Sequence, residues 1–246
     1  YFTSILRDDT GQKLSKSLGN SPDPFDLFDE YGTDAVRFGV MLMAPQGLDV
    51  LFSKERLEIG RNFMNKIWNA SRFIQMNISG KANIKFEIDY EKLELPERWI
   101  LSRLTKMVED YNDHLDRFRF NEAAKSLYDF TWNDFCDWYI EISKIRFSSG
   151  DANNVNIARS VALECLRSIL ILLHPFSPFI SEELWSFFKE EDSSDLIVFQ
   201  WKKTGALRDI RAESKMDILK NIISDIRSVR SRMNVSPSKY SDLVIR

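Results

Sequence analysis

From about residue 53 to residue 234, apolar side chains recur at three- and four-residue steps, the period that an α-helix turns into one continuous face. Most of the chain is thereby committed to helices. The 246 residues include only 9 Gly and 7 Pro, about half of what average usage near 7% and 5% supplies, so obligatory turns are few and long helices are favoured. The fold class is mainly α: an antiparallel helix bundle behind a short irregular and helical leader, with sequence neighbours also neighbours in space.

Five main helices are expected. Ser53 is the N-cap of the first, whose inward stripe is Leu57, Gly60, Met64, Ile67, Ser71 and Ile74. Residues 80–95 lose the period and form a connection. Pro96 opens a second helix to residue 115, with Ile100, Leu104, Met107, Tyr111 and Leu115 on one face. Asn121 caps a third that runs to residue 147 and carries Tyr128, Phe130, Trp132, Phe135, Trp138 and Tyr139, more core than binding platform. The fourth, 157–173, is the most apolar and central. After the break at His174-Pro175, Ser177 and Pro178 serve as N-cap and N1 of a short helix, and 196–199 is a brief strand or a tail on the bundle. The last helix, 214–234, repeats Met216, Leu219, Ile223, Ile226, Val229 and Met233.

Upstream, Asp8-Asp9-Thr10-Gly11, Leu18-Gly19-Asn20 and Ser21-Pro22-Asp23-Pro24 supply turn chemistry, so the opening reads as loop. Helices over 24–31 and 33–43 follow, separated by Gly32.

Lys and Arg number 34 against 37 Asp and Glu, a net charge of -3, so any polyanion site must be local. Residues 53–81 and 226–246 each carry a local +4, which fits a solvated helix face as well as a phosphate contact. Cys136 and Cys165 form no disulfide framework, and with His114 and His174 they match no zinc spacing. The expectation is a reduced, cytoplasmic setting with no protein-bound metal. The longest apolar run, Ile169 to Leu173, falls far short of the roughly 20 residues that span a bilayer. The opening Tyr1 and the apolar end at Leu243-Val244-Ile245 suggest a piece of a larger protein.

The segment Gly11-Gln12-Lys13-Leu14-Ser15-Lys16-Ser17-Leu18-Gly19-Asn20 sets two Lys three apart among Ser hydroxyls, between glycines. Such a strip of donors suits polyphosphate. It is not a Walker loop, which needs Gly directly before Lys-Ser or Lys-Thr. By composition alone it is also compatible with two solvated lysines on a surface loop.

In context, this segment resembles the Lys-Met-Ser-Lys-Ser signature of class I aminoacyl-tRNA synthetases, with Leu14 in place of Met, a volume-conserving exchange. Asp23-Pro24 and Tyr31-Gly32-Thr33-Asp34-Ala35-Val36-Arg37 continue the likeness. Gly60-Arg61-Asn62-Phe63, Lys66-Ile67-Trp68-Asn69-Ala70 and Met233-Asn234-Val235-Ser236-Pro237 resemble the valine-specific branch; the isoleucine-specific one shares the first loop and the general helical domain, but Cys136-Asp137-Trp138-Tyr139 is more similar to the former. The resemblance implies a ligase that activates L-valine with ATP and Mg²⁺ and transfers it to tRNA(Val), in a monomeric enzyme. It assigns Lys13 and Lys16 as catalytic cations and Lys13, Ser15, Lys16 and Ser17 as the ATP site. It makes Arg56, Arg61, Asn62, Lys66 and Phe73 the tRNA contacts, and Gly11 and Gly19 hinges. Residues 1–52 are then the end of a catalytic domain, 53–234 an anticodon-binding domain, and 235–246 the start of a further segment. The chain alone, lacking the nucleotide-binding sheet and editing domain, would be inactive. A fragment of the isoleucine-specific synthetase, a stand-alone helical tRNA-binding module and a helical interaction domain without RNA are the alternatives.

Overall fold

A computed structural model describes residues 5–44, 47–78, 88–190, 193–200, 208–236 and 239–240. Helices α1 (Pro24–Tyr31) and α2 (Thr33–Met43) break at Gly32, as expected. Pro24 occupies the first turn of α1, and the Asp23 carboxylate accepts the Phe25 amide at 2.8 Å. Helix α3 (Lys54–Ile78) buries all six residues of the expected stripe, together with Phe63 and Ala70. The Ser53 hydroxyl donates to the Glu55 carboxylate.

Helices α2 and α3 approach through glycine. A methyl group on Gly60 would overlap the Ala35 carbonyl oxygen and lie 3.0 Å from its carbon, while one on Gly39 would lie 2.8 Å from the Arg56 carbonyl oxygen. Both obstacles are backbone, so no side chain can swing aside. Gly60→Ala is therefore expected to destabilise the fold by about 2 kcal/mol or more, within and above the usual overpacking cost. A denaturant midpoint equal to that of the parent would show that the helices part without cost.

Helix α4 (Leu95–Asp116) begins with Pro96 in its first turn and buries Ile100, Leu104, Met107 and Tyr111. The chain then reverses through Phe118 at φ 58, closed by Arg119 donating its amide to His114 O at 2.8 Å. This tight reversal starts α5 (Phe120–Asp129) before Asn121, which lies inside the helix and is not its cap. The same rod continues as a π-helical segment (Phe130–Tyr139) and then α6 (Ile140–Phe147). Phe130, Phe135 and Tyr139 are buried at five- and four-residue steps, a spacing that the wider π turn brings onto one face.

Helix α7 (Ala152–Leu173) starts ahead of residue 157, because the Asp151 carboxylate accepts the Asn153 and Asn154 amides at 2.9 and 3.4 Å. It is the central helix: Ala158, Val161, Ala162, Cys165, Ile169, Leu170 and Leu173 are fully enclosed. Tyr111 and Tyr139 donate their phenol protons to the Leu172 and Ala158 carbonyls at 2.8 and 3.3 Å, satisfying polar groups inside that core. Both cysteines are buried free thiols, and burial pushes Cys136 up to about 12.

Helix α8 (Pro178–Phe188) has Pro178 at its start, but the Ser177 hydroxyl makes no capping bond. The cap comes from α2 instead: Asp34 Oδ2 accepts the Ile180 amide at 2.6 Å. The 196–199 stretch is a 3₁₀ turn (Leu196–Val198) lying on the bundle, where Phe199 meets Trp185 edge-on at 5.1 Å.

Helix α9 (Ile210–Arg232) starts earlier than residue 214, with Asp209 accepting the Ala212 amide at 3.0 Å. Its N-terminal half is held by ions. Arg103 and Lys220 lie 2.8 and 3.2 Å from the buried Asp134 carboxylate, and Arg208 lies 3.0 Å from Glu213, which also accepts the Ser102 hydroxyl. Of the expected apolar stripe only Met216 is buried; Leu219, Ile223, Val229 and Met233 are exposed. The helix packs chiefly on α4, and Lys220 still reaches the Trp99 ring of that helix at 5.1 Å.

The leader is more ordered in its pairing than a loop. Strand β1 (Leu6–Arg7) pairs in parallel with β2 (Val50–Leu51), Leu6 opposite Val50, and Arg7 bridges to Lys13 in the antiparallel sense. No helix among the described residues is long and apolar enough to cross a membrane.

Candidate phosphate loop and nucleic-acid interface

The signature loop springs from the β1–β2 pair. Asp8 turns the chain: its Oδ1 accepts the amides of Thr10 and Gln12 at 3.0 and 2.8 Å and the Thr10 hydroxyl at 2.6 Å. Gly11 and Gly19 sit at φ 84 and 69, in the left-handed region where a Cβ is strained. At the far end Asn20 reaches back. Its Nδ2 donates to Asp8 Oδ2 at 2.7 Å and to the Lys13 carbonyl at 3.2 Å, and its Oδ1 accepts the Ser15 amide at 2.9 Å. Between these ties a 3₁₀ turn (Lys16–Leu18) closes on Gly19.

The loop's backbone is thus heavily bonded while its cations point outward. Lys13 and Lys16 are exposed, and neither has a carboxylate within 4.0 Å among the described residues. Ser15 and Ser17 share a hydroxyl contact of 2.8 Å beside them. Two free ammonium groups next to paired hydroxyls offer a phosphate chain both charge and hydrogen bonds. Leu14 is half-buried and donates its amide to the Leu6 carbonyl at 2.9 Å, which seats the loop against β1.

Helix α2 joins this segment to the bundle. Beside the Asp34 cap, Arg37 donates from Nε to the Phe176 carbonyl at 3.1 Å. Burial raises the Asp34 carboxyl above its usual range, opposed by the amides of Ile180 and Phe179. Its Oδ1 has no hydrogen-bond partner among the described residues.

The five expected contacts on α3 do not form one open patch. Arg56 and Asn62 are exposed. Arg61 pairs with Glu58 at 2.6 Å and lies over the Tyr31 ring at 5.6 Å. Lys66 pairs with Asp137 at 2.6 Å and lies over Trp132 at 5.0 Å. Phe73 stacks on Phe147 with centroids 5.7 Å apart, and Lys144 covers it at 5.7 Å. A base reaching the Phe73 ring would have to displace that ammonium group.

Sequence reading missed Lys144 on α6 and Lys220 on α9, and it marked Arg227 only as part of a basic run without its aromatic partner. Lys144 at Phe73, and Lys220 and Arg227 at Trp138, each 5.7 Å from the ring centre, place charge beside half-buried aromatic rings. No periodicity in the chain could pair these elements. A groove of about 1120 Å³ between α3 and α8 is lined by Met64, Trp68, Phe179 and Ile197, with Glu182 and Asp195 also on its wall. Those carboxylates disfavour a polyanion there.

Residues 97–245 match the family model for the anticodon-binding domain of tRNA ligase, and residues 1–53 match that for class I tRNA synthetases of the I, L, M and V group. A valine–tRNA ligase of Fusobacterium nucleatum is 42% identical over 100% of this chain and 28% of its own length. One from Bacillus cereus is 39% identical over 98% of the chain and 27% of its length. One from Pseudothermotoga lettingae is 40% identical over 100% and 28%. The chain therefore spans just over a quarter of these relatives. LeuRS of Agrobacterium radiobacter K84, solved with tRNA and LeuAMS, shares the fold at a TM-score of 0.62 and 23% identity, over 87% of this chain and 25% of that one. Methionyl-tRNA synthetase of Mycobacterium tuberculosis does so at 0.59 and 20%, over 74% and 36%. The signature segment and the bundle carry these likenesses together, and the chain belongs to the anticodon-binding domain family of the class I tRNA ligases.

Proposed function

We propose that the chain is the part of a valine–tRNA ligase that brings a phosphate-binding loop and an anticodon reader into one body. The observation that carries this reading is the loop itself: two exposed ammonium groups without carboxylate partners among the described residues, on a backbone tied at both ends. In adenylation the valine carboxylate attacks the α-phosphate of ATP and pyrophosphate leaves. Negative charge grows on phosphate oxygens, where fixed cations are most effective. Lys13 and Lys16 would meet that charge, with Ser15 and Ser17 bonding oxygens beside them, and Mg²⁺ would arrive with the nucleotide. Residues 1–52 would complete a catalytic domain, 53–234 would form the reader, and 235–246 would lead into a further segment.

On the reader, Arg56, Arg61, Asn62, Lys66 and Phe73 would contact tRNA(Val). Asn62 is free to bond a base edge, while Arg61 and Lys66 must exchange their carboxylate partners for phosphate. The test is titration of the full-length parent with tRNA(Val) transcripts altered in the anticodon. Replacing one recognised base is expected to cost about 1 to 3 kcal/mol of binding, the range of a lost bidentate base-edge contact. Equal, weak binding of every transcript, vanishing as salt rises, would leave only generic charge and sink the reader.

A further inference from the structure

We propose that Asn20, anchored by Asp8, is a positioning residue that sets where Lys13 and Lys16 stand on the polyphosphate. The inference rests on reading the loop as an ATP-phosphate site. One carboxamide does three things at once: it holds the Lys13 carbonyl, receives the Ser15 amide and is held in turn by the Asp8 carboxylate. Lys13 is therefore tied at its own carbonyl. Lys16 follows directly on the tied Ser15 and opens the 3₁₀ turn. The two cations share one internal fixture, and neither is touched by it at its ammonium end.

Asp8 is suited to the anchoring role. Its carboxyl is held down at about 2, first by the Thr10 hydroxyl and next by the Asn20 amide. A lowered carboxylate supports structure above its ordinary value near 3.8 and loses that support only as pH falls toward 2. The fixture is thus intact throughout the neutral range. Bonding of this kind pre-places charge for the transition state and does little for ground-state binding, so its loss belongs in kcat and not in KM.

The test is ATP–pyrophosphate exchange by the full-length parent enzyme at saturating valine. Asn20→Asp removes the donor to Lys13 and sets two carboxylates against each other. It is expected to lower kcat on the order of 10- to 100-fold with the KM for ATP changed less than about threefold. Asp8→Asn should do the same. The double variant Asp8→Asn/Asn20→Asp again faces a donor with an acceptor between positions 8 and 20 but leaves the Lys13 carbonyl without its donor, so it should regain stability while its kcat stays about tenfold or more below that of the parent. A single variant with parental kcat, or a rise in the ATP KM at full kcat, overturns the proposal. Where a single variant fails to fold, the double variant decides: folded protein with parental kcat also overturns it. Lys16→Ala run in parallel separates the two failures. If that variant retains full activity, the phosphate reading itself is wrong; if it is slow while Asn20→Asp is not, only the positioning role falls.

Discussion

In the full-length parent, Lys16→Ala is expected to slow valyl-adenylate formation by about 10²- to 10³-fold, the usual cost of removing one preorganised group that stabilises transition-state charge. The expectation follows from where Lys16 stands. Its backbone is locked in a 3₁₀ turn closed by the Gly19 amide on the Lys16 carbonyl at 3.2 Å, while its side chain is exposed. A cation on a fixed stem pays little reorganisation when phosphate charge develops. Since that charge is absent from bound valine, the valine KM should move less than about threefold. Pyrophosphate-exchange kinetics check both numbers, and an unchanged maximal rate would remove Lys16 from the chemistry. Lys13→Ala should affect the same step. Replacing either by Arg keeps the charge but trades a compact ammonium for a planar fork, so recovery should be partial.

The largest effect on stability is expected at Arg146. Its guanidinium lies 2.5 Å from Glu94, 3.1 Å from Glu97 and 3.3 Å from the Asn154 side chain, joining α4, α6 and α7. The Glu97 side chain is 0% exposed. Arg146→Ala leaves that carboxyl without its cation, a loss of about 3 to 5 kcal/mol for a buried pair with one partner removed. The loss depends on pH in a set direction. Burial already raises the Glu97 carboxyl above its usual range, opposed by Arg146. A carboxyl raised in the folded state favours folding below its unfolded value, and that contribution disappears as pH rises through the folded value. Without Arg146 the folded value climbs further, so the variant should lose more stability as pH rises and improve toward acid. Unfolding by denaturant at about pH 5 and about pH 8 measures the difference. Glu97→Gln in the Arg146→Ala background should restore most of the stability at the higher pH. Equal losses at both pH values would show that the pair does not control the effect.

Much of the fold was legible because local chemistry and burial agree. Gly32 parts α1 from α2, Pro96 opens α4, and the α3 stripe from Leu57 to Ile74 is buried as its spacing demands. Where the reading failed, a distant or geometric partner intervened. Asn121 has the chemistry of a cap, but the left-handed Phe118 turns the chain early. Ser177 has it too, yet Asp34 reaches α8 from the other end of the sequence. The apolar steps of α9 are real, but no periodicity states which face will find a neighbour, and the structure leaves most of that face exposed.

The candidate site divides along the same line. Lys13, Ser15, Lys16 and Ser17 between glycines were visible as a strip of ammonium and hydroxyl donors, a local property, while the choice of phosphate over two solvated lysines came from the family resemblance. The tie from Asn20 to Asp8 and the cations covering Phe73 and Trp138 were not visible, because each joins groups that the linear order separates. By itself the sequence determined most helices and the boundaries at Gly32 and Pro96, which depend on residues within a few positions of one another, and the family likeness, which rests on short motifs along the chain. Tertiary structure alone decided which carboxylate neutralises which cation, which amide is capped from afar and which apolar face stays in water. Those outcomes depend on distances between elements, and a distance across a bundle is fixed only when the helices pack.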